Sequence, residues 1–134
     1  MDYDLKSSIG TEVAVNFGSI ATDTTTVGNI ISSAGFGSLV FSLVTGTVSD
    51  GDYTLVIEHG DEADLSDATT VASTDLIGGL PSFTADTDDN LSKNVGYIGK
   101  KPYARASIVS ANTTSGAIIG VVAIKGHALT KPTA

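Results

Sequence analysis

The chain has 134 residues, enough for one domain with a core of its own. Its 41% hydrophobic content and positive mean hydropathy argue against disorder, and no run approaches the roughly 20 apolar residues of a membrane-spanning helix. A net charge of −8 argues against nucleic acid as a partner, and the absence of cysteine excludes disulfide frameworks and thiolate metal sites and suits a reducing cytosol.

Residues 1–10 are polar, with Tyr3, Leu5 and Ile9 spaced through them, and read as an extended arm. MDYDLKSS has no basic region followed by an apolar one, so a secretion leader is not expected. Thr11–Phe17 alternates, which predicts a half-buried strand with Val13, Val15 and Phe17 on one side. A Thr-rich loop follows at Ala21–Thr26, then a short strand near Asn29–Ile31. Gly37–Thr45 alternates again, with Leu39, Phe41 and Leu43 on one face. The turn Ser49-Asp50-Gly51 leads into Asp52–Glu58, which is expected to bury Tyr53, Leu55 and Ile57; these two strands read as a hairpin.

His59–Asp67 is an acidic loop, Thr69–Val71 a short edge strand, and Leu76–Pro81 a bend. Pro81 can lead into an edge strand, Ser82–Thr84, but not a central one. After a second acidic loop at Asp86–Asn90, Lys93–Ile98 enters the best-specified stretch. There Tyr103–Ser110 and Ala117–Lys125 flank a turn, Ala111–Gly116, and read as adjacent antiparallel partners. Ala104, Ala106 and Ile108 share one face of the first run. In the second, Ile118, Val122 and Ile124 oppose Ile119, Val121 and Ala123. Strands apolar on both faces belong in the middle of a sheet, with cover from the rest of the chain. No segment holds a helical period over three turns. Seven or eight short strands with turns every 8–12 residues predict an all-β fold with little helix, an antiparallel β-sandwich of jelly-roll type. The domain spans 11–126, between the arm at 1–10 and a C-terminal tail at 127–134.

Residues 50–90 hold eleven acids and no Lys or Arg, whereas residues 91–134 hold six bases and no acid. In one domain this split makes either two differently charged surfaces or a set of internal pairs. Catalytic chemistry has few candidates. His59 and His127 are the only histidines, without a visible partner for either, so no enzyme activity is expected. Gly99-Lys100-Lys101 resembles the end of a phosphate loop, but Asn94 stands at its first glycine and Lys101 at its hydroxyl position. The acidic loops lack the EF-hand glycine and terminal glutamate, so they read as solvated turns, and no cofactor is expected.

GDYTLVIEHGDEADLSDATTV (51–71), DDNLSKNVGYIGKKPYARASIVS (88–110) and TTSGAIIGVVAIKGH (113–127), with the short Pro-containing tail, resemble small head proteins of tailed bacteriophages. The resemblance covers residues 50–130. It implies a capsid decoration, or cement, protein of jelly-roll type that binds the outer surface of a phage head and bridges neighbouring major capsid subunits. It further implies a homo-oligomer, dimer or trimer, on the virion exterior, made in the host cytoplasm, with no nucleic acid or membrane partner. The expected capsid contacts are Tyr3, Lys6, Lys100, Lys101, Arg105, His127 and Lys131. Other classes remain: a head-fibre or tail-tube component, or a carbohydrate-binding sandwich, the last disfavoured by the absence of Trp.

Overall fold

A computed structural model describes residues 6–84 and 89–128. The chain enters through a 3₁₀ turn, Lys6–Ser8, and then forms ten strands. These are β1 (Gly10–Ile20), β2 (Thr25–Ser32), β3 (Phe36–Val48), β4 (Asp52–Gly60), β5 (Thr69–Thr70), β6 (Leu76–Ile77), β7 (Ser82–Thr84), β8 (Ser92–Tyr97), β9 (Tyr103–Ala111) and β10 (Ala117–Ala128). All pairings are antiparallel. The first sheet runs β1-β10-β3-β8-β6 and the second β2-β9-β4-β5, with β7 also on the β4 edge. The order β1-β10-β3-β8 facing β2-β9-β4, with the short strands β5, β6 and β7 at the edges and connections that pass from one sheet to the other, is the topology of a jelly roll. The expected fold class is therefore the observed one.

The two expected hairpins are not. β9 is central in the second sheet, between β2 and β4, whereas β10 is central in the first, between β1 and β3. β3 and β4 are split between the sheets in the same way. In both cases the link arches over the open end of the sandwich, and Asn112 and Gly116 supply positive φ values of 56° and 86° for the second arch. The physical reason is the core. Ala104, Ala106 and Ile108 on β9 and Ile119, Val121 and Ala123 on β10 bury from opposite layers, together with Phe41, Leu43, Tyr53, Leu55 and Ile57. A hairpin would have put both apolar rows in one layer and left the other uncovered.

The first strand also departs from simple alternation. β1 carries two bulges against β10, between Val13 and Val15 and between Val15 and Gly18. Each changes the side on which later residues emerge. Ala14 and Val15 are consequently buried, whereas Val13 and Phe17 are exposed. β2 bulges in turn between Val27 and Ile30, and the Asn29 side-chain amide donates to the Val13 carbonyl at 2.9 Å. These bulges bring β1 and β2 together along one side of the sandwich. At the other end of the chain β10 continues through Ala128, which pairs with Phe36, two residues past the expected end of the domain.

Candidate assembly surfaces

The arches gather at one end of the sandwich, where acidic side chains hold them. Asp50 lies in the link from β3 to β4. Its Oδ1 accepts the N–H groups of Thr114 and Gly116, and its Oδ2 that of Ser115, all at 2.9 Å. Asp23, between β1 and β2, accepts the Thr113 N–H at 2.8 Å and its hydroxyl at 2.7 Å. These backbone bonds hold both carboxyls below the ordinary aspartate range. Tyr53 lies fully buried beneath them, its hydroxyl 2.9 Å from the Asp50 carbonyl oxygen; burial first, then the surrounding aspartates, pushes its phenol up.

The opposite end collects several of the expected contact residues. Lys100 and Lys101 border a cleft of about 290 Å³ together with Ser33, Phe36, Ser38 and Tyr97. The His127 ring reaches Ser38 at 2.8 Å. Lys6 sits on the entering 3₁₀ turn, which packs against β10. Tyr3 and Lys131 lie outside the described residues. The lysine side chains are not equivalent. Lys101 donates to Asp61 at 2.8 Å, and this pairing raises its pKa. Lys100 is exposed and makes no ion pair among the described residues. Arg105 lies outside the cleft, on the outer face of β9, bonded to Glu58 at 3.2 Å. Both pairs join the acidic stretch to the basic one, so at these positions the charge split resolves into internal neutralisation. The acidic loop is similarly engaged. Asp67 accepts the N–H groups of Asp61 and Glu62, and Asp64 that of Ser66. No group of three metal-ligating side chains occurs among the described residues. Buried His59 pairs with the Tyr97 hydroxyl at 2.7 Å inside the same end, below the cleft.

A third surface was not expected from the sequence. The outward positions of the first sheet carry apolar, glycine, serine, threonine or asparagine residues and no Asp, Glu, Lys or Arg. Val13 and Phe17 of β1, Ile118 of β10 and Ile77 of β6 are 46–62% exposed there. Val40 on β3 and Val122 and Ile124 on β10 fill the middle. Gly120, beneath the Phe17 ring, and Gly96, beneath Ile77, have no side chains to raise the floor. The outer face of the second sheet differs, since it carries Asp52 and the Glu58–Arg105 pair. Alternation in 117–125 did reveal apolar residues on both sides of β10. The cover it seemed to demand is absent from the described residues.

No family model matches the chain, and no curated protein shows significant similarity to it. Among solved structures, it is similar to a chain of the disulfide-linked pili that form Bacillus endospore appendages. That likeness has a TM-score of 0.47 and 13% identity, over 90% of this chain and 89% of the other. It is also similar to a chain of infectious bursal disease virus, Gx strain, with a TM-score of 0.47 and 16% identity over 92% of this chain. This chain spans about a third, 34%, of that viral chain. Likeness at this level carries no argument about role or partners.

Proposed function

We propose that the chain is a structural subunit of a virus particle, a decoration protein that binds the outside of a tailed-phage head and bridges neighbouring major capsid subunits. The observation that carries this reading is the charge-free apolar face on a chain of net charge −8. Monomeric proteins rarely expose a contiguous apolar patch beyond a few hundred Å². A sheet face without charge, with Val13, Phe17, Ile77 and Ile118 exposed among uncharged small and polar residues, suits a part that is built into an assembly. The resemblance of residues 50–130 to phage head proteins supplies the particle.

The net charge favours the exterior, since packaged DNA would repel an acidic protein. The end bearing Lys100, Lys101 and His127 is assigned to the shell, with the arms, Tyr3 and Lys131 among them, as further attachments. Arg105, held by Glu58, contributes least to this contact. Several weak attachments on one oligomer add to a firm hold without any single strong one. The reading assigns no catalysis and no cofactor. A carbohydrate-binding role would want several exposed aromatic platforms, whereas Tyr53 and Tyr97 are buried and Phe17 stands among aliphatic side chains on the exposed face.

The test is to add purified protein to phage heads that lack it, sediment the particles and image them. Density outside the shell, spanning neighbouring capsid subunits, is the expected result. Density inside the shell or along the tail would refute the decoration role, and density on the tail would make the chain a tail component.

A further inference from the structure

We infer that a second copy of this chain covers the outer face of the first sheet, the two copies packing face to face about a twofold axis. This deepens the assembly reading above and rests on it.

Charge selects the occupant first. A face with no ionised side chain cannot compensate a charge placed against it, so its partner must be equally neutral where the two meet. Two copies with net charge −8 also repel, and the repulsion is least where neither presents an acid. The outer face of the first sheet meets both conditions when set against itself. The second sheet does not, because Asp52 and Glu58 would come together across a symmetric contact.

Size agrees. The four longer strands, at ~4.8 Å spacing, and the run from Ile118 to Gly126, at ~3.3 Å per residue, give about 500 Å² in projection. The accessible area of such a corrugated surface is larger, on the order of the ~800 Å² per partner of a stable interface. Shape agrees as well. Gly96 and Gly120 keep the floor low while Phe17, Ile77 and Ile118 stand above it, so ridges of one copy can lie in the furrows of the other. Two twisted sheets pack in this way with their strands within about 30° of each other. A twofold contact uses the face once on each copy and then closes, which prevents open-ended growth.

The experiment measures the mass of the full chain in solution by size exclusion with light scattering. The expected mass is twice the 13.5 kDa of one chain. Phe17→Asp and Ile118→Asp each raise the dissociation constant by ~100-fold or more, because a symmetric interface buries the new carboxylate twice. Val27→Asp, at a still more exposed position on the second sheet, leaves pairing unchanged. The chain has no cysteine, so Ile118→Cys gives a clean second measurement. A short bis-maleimide should link two such copies and should not link two Val27→Cys copies. A single-chain mass for the wild type, a trimer, or a pair that survives both aspartate variants overturns the inference. The same proteins added to heads separate it from the proposed function. A wild type that pairs through this face but never binds a head refutes the decoration role and keeps the pairing. A monomeric wild type that decorates heads, and stops when Phe17 or Ile118 is charged, gives the face to the shell and overturns the pairing.

Discussion

Replacing Gly28 with alanine should destabilise the fold, although glycine in a strand is ordinarily a liability. Removing a glycine from the unfolded ensemble contributes about 0.4–1 kcal/mol when the native site tolerates a Cβ. At Gly28 it does not. An added Cβ would drive into the backbone carbonyls of Ala14 on β1 and Ala106 on β9, and come within 2.9 Å of a Val15 methyl. Carbonyls fixed in two strands cannot rotate away as a side-chain tip would. Relief requires moving β2 outward, against the bulges that join it to β1. Overpacking of this kind costs about 1–3 kcal/mol, and the upper part of that range applies because both obstacles are backbone. The net effect is a loss of about 1–2 kcal/mol, which lowers a urea midpoint by roughly 0.5–1 M for a slope near 2 kcal/mol/M. Gly18→Ala is the matched control, since nothing lies within 4 Å of its added Cβ. It should be neutral or stabilising by up to ~1 kcal/mol. Urea unfolding of both variants decides the matter. Equal or greater stability in Gly28→Ala would show that β2 does not pass as closely between Ala14 and Ala106 as described.

Two further outcomes concern the arches. Asp50→Ala should loosen residues 113–116, seen as faster amide exchange there, and lower stability at neutral pH. The folded carboxyl lies below the ordinary aspartate value, so its contribution is complete above that ordinary value and is lost as pH falls through the folded one; the gap between wild type and variant should close in acid. A gap that persists at low pH would mean that the carboxylate charge is not what holds the arch. Tyr53→Phe removes a buried hydroxyl that donates to the Asp50 carbonyl and should cost about 1 kcal/mol in denaturant titration, with a carbonyl left unpaired. An unchanged midpoint would place that carbonyl in contact with solvent.

Much of the strand inventory is legible in the sequence because alternation is local. Tyr53, Leu55 and Ile57, and Ala104, Ala106 and Ile108, point inward as their spacing predicts. Pro81 does introduce an edge strand. Sheet membership is another matter. Ala111–Gly116 has the composition of a hairpin turn, yet it becomes an arch because its N–H groups are claimed by Asp50, more than sixty residues earlier. Phe17 is misread for a similar reason. Two bulges add residues to β1 that its own sequence does not announce, and the inward row passes from Val15 to Ile20 without Phe17. Of the expected contact residues, the lysines at 100 and 101 are conspicuous in sequence, but the Asp61 partner that distinguishes them is forty positions away. The apolar face needed the register of β1, β3 and β10 before its residues could be seen as one surface.

The place of β10 also sets the order in which the chain can fold. It is last in sequence among the described strands, yet it lies between β1 and β3 in the middle of the first sheet. During synthesis β1 emerges with no strand to join it in its sheet and β3 has only β8, so each carries a row of unpaired N–H and C=O groups that could seek another chain. Closing the sheet then links residues more than a hundred positions apart, as Gly10 with Lys125. Such long closures are slow, on the order of milliseconds to seconds for sandwiches. The acids clustered in residues 50–90, already made by then, give the waiting chain a like charge that keeps neighbouring copies apart until β10 arrives.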